Sequence, residues 1–229
     1  MDKSEKEALL ISHFSKYITD HKKEVVEKVL DLRTRYVTLV LEDIFQSQNA
    51  SATVRTSECF GIQDVHIVEN RAQYETNIRV LKGSHKWITY HRYKSKISNN
   101  TESCYNTLRD NGYRIFATDP APDSFAVEDI DVTGGKIAIV LGNELRGLSE
   151  YALKNCDQRI HIPMVGFTES LNISVSAAIC LNTIMNKIRR GNLEVGLSEK
   201  EKSHLRLAWY RKIVRKSNIL EREFLRTIR

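Results

Sequence analysis

The chain predicts an α/β fold with a largely parallel sheet, and three features of the sequence carry that reading. Short apolar, β-branched runs recur at Val37–Leu41, Val65–Val68, Tyr113–Thr118, Lys136–Leu141 and Arg159–Met164, the lengths of buried strands. Turn signals at Asn111-Gly112 and Gly134-Gly135 precede two of them. Between the first two lies a helical stretch, Asn49–Phe60, with Gly61 placed to close its C-terminus. Strands that alternate with helices are joined most simply as parallel neighbours.

Taken in order, residues 1–36 read as helical. Leu9, Leu10, His13, Phe14 and Tyr17 share one face, and Val25, Val26, Val29, Leu30 and Arg33 continue the pattern. The strand and helix alternation then occupies residues 37–190. Residues 191–229 form a basic helical extension that opens on Ser198-Glu199-Lys200-Glu201, an S-x-x-E capping box, followed by Leu205, Trp209 and Ile213 at i, i+4, i+8. An isolated helix of this kind is marginal in water, so its apolar stripe has to pack on something. Trp209 is read as a packing anchor in preference to a base-stacking platform.

Composition excludes several classes. At 229 residues, 41% hydrophobic and 28% charged, the chain can bury a substantial core. No apolar run approaches the ~18 residues of a spanning helix, and Met1–Ala8 lacks the apolar region of a signal peptide. Cys59, Cys104, Cys156 and Cys180 show no C-x-x-C spacing, which argues against a zinc site or disulfide framework and for a reducing, cytoplasmic setting without a metal. The net charge of +6 is unevenly placed: residues 187–229 hold 13 Lys and Arg against 5 Asp and Glu. Such a tail is either a solvated helix face or an arm that tracks phosphates.

The most informative stretch is Glu169-Ser170-Leu171-Asn172-Ile173-Ser174-Val175-Ser176-Ala177-Ala178, after Ile162-Pro163-Met164-Val165-Gly166. A strand end, a Gly-containing loop and S-L-N at a helix start put backbone donors, a hydroxyl and an amide on one turn, which suits a small charged ligand. By itself the stretch reads more simply as an N-cap at Ser170 with Ile173, Val175 and Ile179 in the core, because caps far outnumber active sites. Two companions shift that balance: Asn49-Ala50-Ser51-Ala52-Thr53-Val54-Arg55-Thr56-Ser57-Glu58-Cys59-Phe60-Gly61-Ile62, and Ile137-Ala138-Ile139-Val140-Leu141-Gly142-Asn143-Glu144-Leu145-Arg146-Gly147-Leu148-Ser149.

Together and in this order, the three segments resemble the motifs of the SpoU/TrmH family of RNA ribose 2′-O-methyltransferases. The resemblance runs from about Glu27 to about Gly191. It sharpens to the branch that methylates guanosine 18 in the D-loop of tRNA at Gly83-Ser84-His85-Lys86-Trp87 and Val29-Leu30-Asp31-Leu32-Arg33. It implies a trefoil-knotted SPOUT methyltransferase fold with helical extensions at both ends, a homodimer that binds tRNA, and S-adenosyl-L-methionine as cofactor. Within the family the alternatives are a ribosomal RNA 2′-O-methyltransferase and a noncatalytic RNA-binding relative. Ribosomal enzymes of the family commonly carry a sizeable N-terminal RNA-binding domain, for which about 36 residues are too few.

The resemblance also implies roles for individual residues. Thr118, Gly142, Ile162 and Leu171 surround the cofactor, with Gly142 expected to let a ligand approach a strand end closely. Arg55, Asn49, Glu144, Ser170 and Asn172 form the catalytic set. A guanidinium keeps its proton in nearly any protein environment, so Arg55 is read as a phosphate clamp and stabiliser of the developing alkoxide. Glu144 orients Arg55 or Asn49, while Ser170 and Asn172 fix the ribose or the loop. The alternatives are Glu144 as an anion at a helix N-terminus, Asn49 as an N-cap and Arg55 as an ordinary surface cation. Arg33, Lys187, Arg189, Arg190, Arg211 and Lys212 are the RNA-binding candidates. Two departures from the family pattern touch RNA contacts more than methyl transfer: Gln48 stands where histidine is frequent, and the arginine-rich stretch reads Asn186-Lys187-Ile188-Arg189-Arg190.

Overall fold

A computed structural model describes residues 2–228. In chain order the elements are α1 (Lys3–Ser15), α2 (Asp20–Asp31), β1 (Val37–Glu42), α3 (Ser47–Cys59), β2 (Asp64–Val68), α4 (Ile78–Leu81), β3 (Thr89–Tyr93), α5 (Asn100–Asp110), β4 (Tyr113–Thr118), β5 (Phe125–Ala126), β6 (Lys136–Leu141), α6 (Glu150–Asn155), β7 (Gln158–His161), α7 (Ile173–Arg190), α8 (Glu199–Ile213) and α9 (Ser217–Thr227). They divide into two compact units, Thr34–Val195 and the two chain ends, Met1–Arg33 with Gly196–Arg229.

The larger unit is built on a seven-stranded sheet in the order β3-β2-β1-β6-β4-β7-β5, with every pairing parallel. The chain reaches the far edge early and then inserts β6 between β1 and β4, and β7 between β4 and β5. Helices cover both faces, so the central strands are apolar along their length rather than alternating. Val37, Leu39 and Leu41 of β1 and Ile137, Ile139 and Leu141 of β6 meet Val54 of α3 and Ala177, Leu181 and Ile184 of α7 on one side. Val40, Ala138, Val140 and Ile115 meet Tyr105 and Leu108 of α5 and Ala152 of α6 on the other. In α7 the buried residues Ile173, Ala177, Cys180, Leu181, Ile184 and Ile188 recur at helical spacing.

Several expectations are adjusted. The last strand ends at His161 and does not extend to Met164; Pro163 has no amide hydrogen to give to a ladder. The helix expected at Asn49 starts at Ser47, and Gly61 takes φ 80 just beyond its C-cap. β3 and α5 lie where no element was foreseen. β3 is an edge strand reading Thr-Tyr-His-Arg-Tyr, none of it fully buried, and so lacks the apolar run that marks its neighbours. The expected N-cap at Ser170 belongs to Asn172, whose side chain accepts from the Ser174 amide.

The smaller unit packs α1 and α2 against α8, and α9 against α1 and α8. Leu10, Phe14, Val26, Leu30, Leu205, Leu207, Trp209 and Tyr210 are buried, and Ser198 and Glu201 form the expected capping box. Arg206 holds Glu27 through two 2.6 Å hydrogen bonds, and Lys202 reaches Asp31 at 2.8 Å.

A polar cluster on β2 and β3 stands out in the larger unit. His66 stacks on His91 with ring centroids 4.5 Å apart and has Nδ1 3.0 Å from the Tyr93 hydroxyl. His91 Nε2 and Arg35 Nε meet the Asp64 carboxylate at 2.9 and 2.8 Å. Burial pushes the Asp64 carboxyl up, but the His91 hydrogen bond and the Arg35 charge outweigh it and hold it below its ordinary value. For His66, burial together with neighbouring His91 drives the imidazole from 6.5 to about 3 against the opposing pull of Asp64. A folded value below the unfolded one means that the neutral ring stabilises the fold fully above pH 6.5, and that this is lost as pH falls toward about 3. Between pH 7 and pH 5 this loss is expected to amount to about 2 kcal/mol. Urea unfolding of wild type and His66→Asn at both pH values checks it, the variant showing the smaller pH dependence.

Gly142, at the end of β6, faces a tight turn in which Asn143 and Gly147 exchange two 2.9 Å backbone hydrogen bonds. A Cβ at Gly142 would sit 2.4 Å from the Gly147 carbonyl carbon and 2.5 Å from the Leu148 nitrogen. The glycine is thus required by its own turn, which replaces ligand approach as the steric reason. Because the clash is with backbone, side-chain rotation cannot relieve it, and Gly142→Ala is expected to cost about 1–3 kcal/mol, measured as a lower urea midpoint.

Candidate active site

The C-terminal ends of β1, β4, β6 and β7 open into one cleft of about 1230 Å³, at the edge where parallel sheets hold their ligands. Its walls are Thr118–Pro122 after β4, the turn after β6 from Leu141 to Leu148, and the segment from Ile160 through Asn172 that leads into α7. Gln46 and Asn49 of the α3 start, and Ser176 and Cys180 of α7, complete them. The size and the mixed apolar and amide lining fit a nucleoside-sized ligand with room for a second reactant. Among the described residues no three His, Cys, Asp or Glu side chains group as a metal site.

Three of the expected catalytic residues are joined directly. Asn49 Nδ2 donates to Glu144 Oε1 at 3.0 Å and to Gln46 Oε1 at 3.1 Å, and Asn172 Nδ2 donates to Asn49 Oδ1 at 3.1 Å. The Glu144 carboxylate also accepts from the backbone of Phe45 at 3.1 Å and Gln46 at 3.2 Å. It therefore sits just ahead of the α3 N-terminus, where the helix dipole favours an anion, and orients Asn49 at the same time. Arg55, the other expected partner of Glu144, is not among its hydrogen-bond donors. Burial pushes the Glu144 carboxyl up, and the Asn49 amide and the backbone donors more than compensate, holding it below its ordinary value. A carboxylate so satisfied is a poor proton acceptor and serves as a strut.

The remaining residues are differently placed. Ser170 and Leu171 line the cleft and are exposed. Ile162 lines it while packing on the core. Thr118 lines it too, its hydroxyl donating to the Val140 carbonyl at 2.9 Å. Arg55 is exposed on α3, outside the cleft lining, with Nη1 3.4 Å from the Val80 carbonyl. Lys187 donates to the Glu128 and Ile130 carbonyls at 2.5 and 2.6 Å, so its ammonium is held by the fold. Arg189 and Arg190 are exposed. In the smaller unit Arg33 is 1% exposed, its guanidinium 5.4 Å from the centre of the Trp209 ring, which leaves it no surface to offer to RNA. Arg211 is engaged with Glu221 at 2.7 Å, and Lys212 is exposed.

Sequence reasoning missed several supports of the cleft. Asn143, inside the quoted Gly142-Asn143-Glu144 motif, donates to the Asp43 carbonyl at 2.7 Å and accepts from the Leu145 and Arg146 amides. Asp43, at φ 52, accepts from the amides of Asn70, Arg71 and Ala72. Glu42 is 1% exposed and binds the Ser149 amide and hydroxyl, each at 2.8 Å, as well as Thr101. The available signal was a pair of acidic residues, Glu42 and Asp43, at the end of a mostly apolar strand.

Comparison with known proteins agrees with this geometry. Residues 36–182 match the SpoU rRNA Methylase family. The chain is 44% identical over 211 residues to the tRNA (guanosine(18)-2′-O)-methyltransferase of Borreliella burgdorferi, covering 92% of this chain and 94% of that protein. It is 30% identical to the enzyme of the same name from Thermus thermophilus, covering 80% and 89%. The crystal structure of the A. aeolicus TrmH/SpoU tRNA modifying enzyme superposes with a TM-score of 0.76 at 26% identity, covering 86% of this chain and 98% of that one. A match across the whole sheet and all three motif segments makes this chain a member of the SpoU methylase family.

Proposed function

We propose that the protein is a tRNA (guanosine(18)-2′-O)-methyltransferase that transfers a methyl group from S-adenosyl-L-methionine to a ribose 2′-hydroxyl in the D-loop, leaving S-adenosyl-L-homocysteine. The observation that carries this reading is the 44% identity to an enzyme of that name across 92% of the chain, which a shared catalytic domain alone would not produce. The cofactor supplies an electrophilic methyl group on a sulfonium sulfur. Thr118, Gly142, Ile162 and Leu171 form the walls that hold it, and the cleft's apolar and amide lining supports that fit. Asn49, Glu144 and Asn172 set the geometry of the reacting end, and Ser170 offers its hydroxyl to the ribose. With Glu144 saturated, the 2′-hydroxyl proton passes to an RNA phosphate or to water, and Arg55 stabilises the alkoxide as it develops.

The reading includes a homodimer in which motif residues of one copy, Arg55 above all, complete the cleft of the other. The exposed apolar side chains Phe45, Leu145, Val165 and Phe167, all in segments that line or adjoin the cleft, support it. It also includes the deep trefoil knot, supported by the insertion of β6 and β7 between strands already laid down. tRNA phosphates are met by exposed cations, Arg189, Arg190 and Lys212 among them. No helix among the described residues is long and apolar enough to cross a membrane, and four free cysteines support a cytoplasmic setting.

Incubation with unmodified tRNA and methyl-labelled cofactor, followed by nuclease mapping and nucleoside mass spectrometry, is expected to yield labelled 2′-O-methylguanosine at position 18. Label in ribosomal RNA alone, or none at all, would overturn the assignment. Arg55→Ala is expected to lower the methyl-transfer rate by a factor of ~100 to 1,000. Calorimetry should find its affinity for S-adenosylhomocysteine unchanged, because Arg55 acts on the RNA side of the reaction and not on the adenosine. A variant with near-wild-type turnover would remove Arg55 from the mechanism.

A further inference from the structure

Beyond the residues that the family motifs mark, one titratable side chain in the cleft wall has its tautomer fixed by the fold. His161 ends β7 and lines the cleft. Its Nδ1 lies 2.8 Å from the hydroxyl oxygen of Ser124, and that hydroxyl donates its only hydrogen to the Ala121 carbonyl at 2.6 Å. Two groups cannot share a bond without a proton between them, so Nδ1 must carry the hydrogen and Ser124 must accept it. In the tautomer with its hydrogen on Nδ1, Nε2 is a bare acceptor, with no hydrogen-bond partner among the described residues. Ser124 is 9% exposed, so this orienting contact is itself shielded from water.

Topology says which part of a ligand would meet that acceptor. The strands run β1-β6-β4-β7, so His161 lies three strand spacings from the end of β1, about 14 Å. The amide and carboxylate cluster of Asn49 and Glu144 occupies the β1 and β6 end, whereas the β4 and β7 end is lined by Pro120, Ala121, Pro122, Ile160, Ile162 and Pro163, with Thr118, Asp119 and His161 as its polar members. The apolar end suits a flat heterocycle and the amide end suits the reacting groups.

We propose that His161 is a specificity-determining residue of the cleft, whose Nε2 accepts a hydrogen bond from a ribose hydroxyl or the exocyclic amine of the cofactor's adenosine half. This rests on the methyltransferase reading above. It adds a side-chain acceptor selective for an adenosine that carries its donors.

Asparagine and glutamine separate the two ring nitrogens, since the Asn amide overlays Nδ1 and the Gln amide overlays Nε2. Calorimetry with S-adenosylhomocysteine is expected to show His161→Asn weakened about five- to tenfold, the size of one net hydrogen bond, and His161→Gln within about twofold of wild type. The same pattern is expected with 5′-methylthioadenosine, which lacks the amino-acid half. In wild type, nitrogen NMR of labelled histidine should show Nε2 unprotonated in the free protein and shifted on ligand addition, a readout that needs no variant to fold. Equal affinity of both variants with wild type, equal loss in both, a deficit confined to S-adenosylhomocysteine, or a protonated Nε2 at neutral pH would each overturn the assignment. Failure of wild type to bind S-adenosylhomocysteine would instead overturn the methyltransferase reading and this inference with it.

Discussion

The Glu144 carboxylate is the joint on which the cleft depends. It stands on the turn after β6, accepts the amides of Phe45 and Gln46 just ahead of α3 and one from the Asn49 side chain, and through Asn49 reaches Asn172 at the start of α7. Three segments, around residues 45–49, 144 and 172, are thereby set in register by one anion. A charge held by backbone and side-chain amides near a helix N-terminus is stabilised without a cationic partner. The cluster can therefore stay anionic and hydrogen-bonded while it leaves arginines free for other work. Glu42 does the same for the far side of that turn, where it holds Ser149.

Much of the fold was legible because the sheet is buried on both faces. β1 and β6 have almost no polar positions, and a run such as Ile137–Leu141 reads as a strand in any context. β3 was not legible for the complementary reason: at the sheet edge its side chains serve the Asp64–His66–His91 cluster and solvent, and no apolar period survives. The overextended β7 shows a different limit, since Ile162 and Met164 are apolar to line a cleft rather than to continue a ladder. Motif residues were found, yet their physical tasks were only half readable. Gly142 was traced to ligand approach when its own turn already forbids a side chain. The helix cap lies at Asn172, two residues beyond Ser170.

Formal charge was the least transferable part of the sequence reading. The C-terminal segment is strongly basic in composition, but several of its cations are engaged internally, Arg206 with Glu27, Lys202 with Asp31 and Arg211 with Glu221. Such pairs offset the positive field that composition alone suggests, and they spend cationic side chains on joining helices. What can reach a phosphate is set by which heads remain exposed, as at Arg189 and Arg190, and spacing in a sequence does not report that.

The smaller unit is assembled from both ends of the chain, and this imposes an order in time. During synthesis α1 and α2 emerge before any strand of the sheet, but the helix they pack on, α8, emerges after the last strand. Their apolar faces, with Leu10, Phe14, Val26 and Leu30, must remain uncovered by α8 while the whole sheet is made and folded. α1 and α2 are thus held in waiting for α8 through the making of the sheet. Helices made ahead of the sheet reach their final packing only after it.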